Sequence, residues 1–310
     1  MKFHPTHEIV TDENFNEARY LAANPDVKIS GVQAWFHFDK AGRKERRKQL
    51  AIDTRDRALK YKRFRHVLQK PHGDDPEASF PIVTSDNLYN IDNYAGESTN
   101  NSHAWFDEEI ISNPKKNYLD LGCGLRDRTF DNCLYLEVYN SISADLVVAP
   151  CCPYPIRNDS FDGIGCFTVL EHTRQPWRVV SEIYRILKPG GKAFIDWPFL
   201  QPVHGYPSHY FNATREGLKT LFSDNGFIIE ICETQNHNTI SYTISWILRT
   251  MCAGLPEGRT RRAFEGMTIR ELIELEPDSP KWNQFISVLD DKKIEELACG
   301  NFLLAAKPET

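Results

Sequence analysis

The chain has 310 residues, of which 41% are hydrophobic and 26% charged, with a formal net charge of −6. These proportions belong to an ordinary globular protein and exclude disordered, fibrous and collagen-like classes. The length allows a main domain of roughly 200 residues plus an accessory segment.

The start, MKFHPTHEIVTDENF, lacks a basic region followed by an apolar run, so no secretory signal is expected and the cytoplasm is the predicted location. Residues 1–75 read as a helical accessory segment: Ser30 and Gly31 precede Val32, Trp35 and Phe36, an i, i+3, i+4 face that Gly42 ends. Between Lys40 and Lys70 lie thirteen Lys or Arg against three acids. Such a stretch either meets a polyanion or packs against acidic groups of its own chain, and the second reading is favoured. PHGDDPEASFP (71–81) then marks a boundary, leaving 76–310 as the larger domain.

From Asn117 the texture changes to short β-rich runs: NYLDL, LYLEV, DLVVA, FDGIGCFTVL, KAFIDW, FIIEI and NFLLAA. Several are apolar at successive positions, as strands covered on both faces must be. Helical runs separate them, which predicts a doubly wound α/β sheet. PWRVVSEIYRILKPGG is the clearest helix, with Pro176 at its first position, Val180, Ile183 and Leu187 inward and Pro189-Gly190-Gly191 as the stop. A second helix follows Thr214 as N-cap, with Leu218, Leu221 and Phe222 inward and Asn225-Gly226 closing it. TISYTISWILRTMCAGL (239–255) is broken by Arg249 and too short to span a bilayer. It is read as an amphipathic helix, either a lid or a contact in a homo-oligomer. MTIRELIELEP and SPKWNQFISVLDDKKIEELA complete a C-terminal helical portion over 241–310.

The eight cysteines show no CxxC pair and no histidines at zinc spacing, so free thiols and no metal are expected. Chemistry concentrates instead in YLDLGCGLRDR (118–128). A strand entering Gly122-Cys123-Gly124 makes a tight turn at the carboxyl edge of the sheet, where the backbone can approach a ligand closely. A dinucleotide fingerprint wants a third glycine where this chain has Asp127, so nicotinamide binding is disfavoured. Glu137, at the end of the next strand, can accept two hydroxyl hydrogen bonds from a ribose, and Asp120 can brace the loop or a ligand amine.

YLDLGCG, LEV, NDSFDGIGCFTVLEHTRQPWRVVSEIYRILKPGG and the strand after it, about residues 117–235, resemble class I S-adenosylmethionine-dependent methyltransferases, the small-molecule branch with LEH and LKPGG signatures. The resemblance implies a Rossmann-like methyltransferase sheet and S-adenosylmethionine as cofactor. It implies that Asp120, Gly122, Cys123 and Gly124 line the methionine and ribose side, that Glu137 holds the ribose hydroxyls, and that Phe167, Leu170, Glu171 and His172 lie by the cofactor. Three departures accompany it. Leu125 replaces a small residue, the connection from Gly124 to the next strand leaves no room for a full helix, and the aligned adenine-side position reads Ala149-Pro150-Cys151-Cys152 without an aspartate. Adenine is then expected on backbone groups near Cys151.

WPFLQPVHGYPSHYFNAT supplies the candidate acceptor wall through Phe199, Gln201, Tyr206 and Tyr210, with Phe211 beside them. A hydroxyl acceptor loses a proton on methylation. His204 is the first choice of base, His209 the second and Glu171 the third. YLAANPDVKISGVQAWFHFDKAGRKERR resembles short modules that accompany bacterial glycan-modifying enzymes, matching at Tyr20, Leu21, Asn24, Pro25, Asp26, Val27, Gly31, His37, Phe38 and Gly42. That resemblance implies a sugar or glycan precursor as acceptor. The acidic α/β region disfavours nucleic acid. Leu125 and the missing aspartate motivate the alternative, a non-catalytic scaffold that kept the fold.

Overall fold

A computed structural model describes residues 3–69, 78–84, 103–150, 153–205, 208–277 and 279–298. Among them run ten strands: β1 Phe3–Pro5, β2 His7–Ile9, β3 Lys48–Leu50, β4 Ile82–Val83, β5 Tyr118–Leu121, β6 Arg128–Phe130, β7 Cys133–Glu137, β8 Leu146–Val147, β9 Phe161–Phe167 and β10 Leu187–Asp196. Six form one parallel sheet in the order β10-β9-β5-β7-β8-β4. The chain passes from β5 outward to β7 and β8, then returns to β9 on the other side of β5. This reversal is the topological switch point, where the carboxyl ends of neighbouring strands diverge into a crevice. The doubly wound, Rossmann-like architecture expected from the sequence is therefore present.

Every residue of β5 and β7 is buried, because both faces of the sheet are covered. Leu119, Leu121, Leu134, Leu136 and Ile164 belong to one core. Tyr118, Cys133, Tyr135 and Phe167 belong to the other, with Phe106 and Ile110 of the helix Ala104–Ser112. Pro176–Ile186 is helical as predicted and buries Val179, Val180, Ile183 and Ile186. It stops earlier than its glycines suggest: Leu187 already pairs with Phe161, and the Pro189-Gly190-Gly191 stretch lies inside β10, where the register shifts. Thr214 caps Arg215–Asp224 through its side chain, which accepts from the Gly217 N–H at 3.1 Å.

The strand expected at FIIEI is not formed. Ile228 and Ile231 are 91% and 62% exposed, and no β10 partner fixes them. NFLLAA lies outside the described residues.

The amino-terminal stretch contains the predicted helical turns, Ala34–His37 and Phe38–Gly42, and also three short strands that periodicity does not reveal. Tyr20, Val27, Ala34 and Phe38 build a small core. The Tyr20 hydroxyl and His37 Nδ1 lie 2.9 Å apart, and the Asn24 side chain donates to the carbonyls of Tyr20 and Lys48. Several residues of that motif thus hold the segment itself together. Part of its positive charge is spent internally: Arg43, Arg47, Arg55 and Arg57 pair with Asp12, Asp26 and Asp53. Lys60 reaches the fully buried Asp145 at 2.6 Å. Tyr61 and Phe64 enter the core of the sheet, as does Phe80 beyond the expected boundary.

The chain divides into two compact units, Met1–Trp197 with Gly205–Glu230, and Pro198–His204 with Ile231–Thr310. The described residues on either side of position 75, 3–69 and 78–84, both belong to the first. The second has its own core of Met251, Leu255, Phe264 and Phe285, built on the helices Ile240–Gly254, Arg259–Glu265, Ile269–Glu274, Pro280–Ile286 and Asp291–Leu297. Thr268 and Glu271 form a reciprocal capping box. Among the described residues no helix is long and apolar enough to cross a membrane.

Candidate active site at the sheet's carboxyl edge

β5 ends in the glycine loop. Gly122 and Gly124 have φ of 70° and 54°, the left-handed region that glycine enters without strain. The N–H groups of Gly122 and Cys123 both donate to the Leu136 carbonyl of β7, at 2.9 and 3.0 Å. The turn is thereby fastened to the neighbouring strand. Cys123 is fully buried, and burial pushes its thiol up, so it is not a nucleophile.

Glu137, the last residue of β7, aims at this loop. Its Oε2 accepts from the Gly124 N–H at 2.7 Å and its Oε1 from the Val138 N–H at 2.7 Å. Burial raises its carboxyl to about 7 despite these two bonds. Each oxygen keeps a further lone pair. A carboxylate so placed beside a glycine turn fits a vicinal diol, the recognition group of a ribose. The donor set therefore fits the nucleoside of S-adenosylmethionine.

Of the two roles the sequence leaves open to Asp120, bracing the loop or meeting a ligand amine, its contacts are those of a brace. Its Oδ2 and Oδ1 accept from Arg126 Nε and Nη2 at 2.8 and 3.0 Å, with both side chains about 95% buried. Burial works against the Arg126 charge, and the facing Asp120 carboxylate more than restores it. Asp120 thus braces the loop. The pair also borders a cavity with room for about one water, lined by Phe106, Asp107, Tyr135 and Phe167. Burial lifts the Asp107 carboxyl there to about 6. Leu125, the residue out of pattern, is buried.

Across the switch point, β9 ends at Phe167, which stacks on His103 with ring centres 4.6 Å apart. Thr168 follows with φ 52°, a strained conformation for a β-branched residue that no sequence motif announces. The short turn Leu170–His172 comes next. Leu170 is core. Glu171 is fully buried, and neither of its carboxylate oxygens has a hydrogen-bond partner among the described residues. Burial, with a contribution from the Asp196 charge, raises its carboxyl to about 8. His172 donates through Nδ1 to the Ser208 carbonyl at 3.1 Å, its Nε2 lies 3.8 Å from Glu171 Oε1, and its ring stands 5.5 Å from that of His209. His209 Nε2 lies 2.7 Å from Asn212 Oδ1.

The acceptor-side candidates divide. Tyr210 and Phe211 are 44% and 39% exposed in the first unit; the Tyr210 N–H donates to the Glu171 carbonyl at 2.7 Å, and Phe211 meets Trp177 edge-on at 6.0 Å. Phe199, Gln201 and His204 belong to the second unit, where His204 donates through Nδ1 to the Pro202 carbonyl and packs on Trp246. Cys151 and Tyr206 lie outside the described residues.

Residues 119–195 match the family described as "Methyltransferase domain". A 65-residue stretch is 35% identical to an uncharacterized methyltransferase of Mycobacteroides abscessus, covering 20% of this chain and 25% of that one. The chain thus spans about a quarter of the length of this curated relative. Among solved structures, the YcgJ protein of Bacillus subtilis is 15% identical with a TM-score of 0.34, over 52% of this chain and 88% of that one. Phosphoethanolamine N-methyltransferase 2 of Haemonchus contortus, solved with S-adenosyl-L-methionine, is 18% identical with a TM-score of 0.34, over 59% and 47%.

Proposed function

We propose, from the methyltransferase domain that residues 119–195 match, that this chain is an S-adenosylmethionine-dependent methyltransferase acting on an oxygen of a small molecule or glycan precursor. The observation that carries the reading is the clasp between Glu137 and the Gly124 N–H at the switch point of the sheet. The cofactor, when bound, supplies an activated methyl group on a sulfonium centre. Glu137 holds the ribose hydroxyls, Gly122 and Gly124 let the backbone come close, and the Asp120–Arg126 pair keeps the turn in shape.

In-line displacement is accelerated chiefly by alignment, so the chain's main task is to hold the acceptor in place. Trp177, Tyr210 and Phe211 offer rings to an acceptor next to the Glu171 turn. Glu171 is the preferred proton acceptor: no other side chain among the described residues hydrogen-bonds its carboxylate oxygens, and about 8 is a range in which a buried acid can take and release a proton. His209 is the second choice within the same unit. His204 keeps this role only as a proposal within the other unit. The motif resemblance at Tyr20–Gly42 supports a sugar-linked acceptor. The cysteines Cys123, Cys133, Cys166, Cys232 and Cys252, free in the structure, support a reducing, cytoplasmic setting.

Titration calorimetry with S-adenosylmethionine and S-adenosylhomocysteine tests the reading, with NADH as the comparison. Saturable binding of either sulfur nucleoside and none of NADH is expected. Binding of neither would leave only a scaffold with this fold.

A further inference from the structure

We infer that strand β1 and Thr6 behind it are positioning elements of the glycine loop, standing where a helix would otherwise hold the loop's exit; this rests on the nucleoside-cradle reading above. In a βαβ unit the turn after the first strand runs directly into a helix, whose own hydrogen bonds fix the turn. Here residues 125–132 separate Gly124 from β7 and contain β6 instead. Among the described residues β6 has one partner, β1, paired antiparallel as Phe3 to Phe130, His4 to Thr129 and Pro5 to Arg128.

Thr6 continues the clamp. Its N–H donates to the Asp127 carbonyl at 2.9 Å and its hydroxyl donates to the Arg126 carbonyl. His4 anchors the far end: its Nε2 lies 2.9 Å from Asp131 Oδ1 and its Nδ1 2.8 Å from Thr54 Oγ1. Residues 126–131 are thus held from the amino terminus at both ends. Arg126 carries the constraint inward. Its N–H donates to Ser143 Oγ at 2.9 Å, its guanidinium pairs with Asp120, and Ser141 Oγ donates to the Gly124 carbonyl at 2.6 Å. The Ser143 N–H donates to Ser141 Oγ at 3.1 Å, so the path from Thr6 ends at Gly124, the residue whose N–H meets Glu137. Thr6 is 6% exposed, so water does not replace its hydroxyl's bond. The amino-terminal segment is on this account part of the cofactor site rather than an appendage.

The test uses the full chain and S-adenosylhomocysteine, with affinity read by calorimetry and Gly124 amide exchange read by NMR. Thr6→Val keeps the side-chain shape without the hydroxyl, and should weaken binding about tenfold and speed Gly124 exchange. Thr6→Ser restores the donor and should bind within about twofold of the parent. Glu8→Gln, which loosens the pairing with Arg19 in the same segment without touching the loop, should lower Tm and leave affinity unchanged. If Thr6→Val does not fold, His4→Leu replaces it, with a smaller loss of about threefold expected. A folded Thr6→Val or His4→Leu that binds like the parent overturns the inference. A parent chain that binds no S-adenosylhomocysteine overturns the cradle reading itself.

Discussion

Residues 118–143 and residues 208–212 both belong to the first unit, and they are built on opposite principles. In the first stretch polar side chains are committed: Asp120 to Arg126, Glu137 to two backbone N–H groups, Ser141 to the Gly124 carbonyl, Ser143 to the Arg126 N–H. In the second, two rings are about 40% exposed; the Tyr210 N–H donates to the Glu171 carbonyl, Trp197 Nε1 donates to the Phe211 carbonyl, and the one committed polar pair described there is His209 with Asn212. A site that binds a fixed cofactor gains from preorganisation, because no ordering is left to do on binding. The face proposed for the acceptor leaves its two rings partly exposed instead.

The largest expected difference between the two regions is in stability. Arg126→Met strands the Asp120 carboxylate in a buried site and should cost about 3–5 kcal/mol in urea unfolding. Tyr210→Ala, on an exposed ring, should cost within about 0.5 kcal/mol and act on turnover instead. Equal costs would erase the contrast.

A smaller effect sharpens it through pH. Glu171 holds its proton to about pH 8 when folded, against 4.5 when unfolded, so between these values the folded chain binds more protons. Stability must then fall as pH rises across that window, by at most a few kcal/mol. Glu171→Gln should flatten the upper part of the decline, leaving the parts due to Glu137 and Asp107, whose windows close near 7 and near 6. A parent whose stability rises over this range would contradict the burial argument. Turnover by the parent should climb as pH approaches 8, while the Gln variant loses that limb.

The smallest effect concerns Thr168. Thr168→Gly removes the strain of φ 52° and should raise stability by about 1 kcal/mol or less, with Tm as the readout. A clear loss of stability would show that its side chain matters more than its backbone.

The central sheet was legible because β5, β7 and β9 are apolar through successive positions, and because Glu137 closes its strand at a recognisable distance from the glycines. In LRDR (125–128) the sequence offers two arginines around Asp127, and nothing in their spacing marks Arg126. Which of them turns inward depends on β6 pairing with a strand more than a hundred residues earlier. β1, β2 and β3 are three residues each, too short for any alternation to register. FIIEI has strand composition yet has no strand partner among the described residues, a reminder that β preference expresses itself only beside a neighbour. Thr168 carries its signal in a backbone angle that composition does not encode.

The most direct measurement is calorimetric titration of S-adenosylhomocysteine into the parent chain and into Glu137→Ala. Saturable binding by the parent, and its loss by a hundredfold or more on the order expected for a buried charge-assisted pair of hydroxyl bonds, is the predicted result. Equal affinity in the two proteins would mean that this carboxylate does not hold the nucleoside.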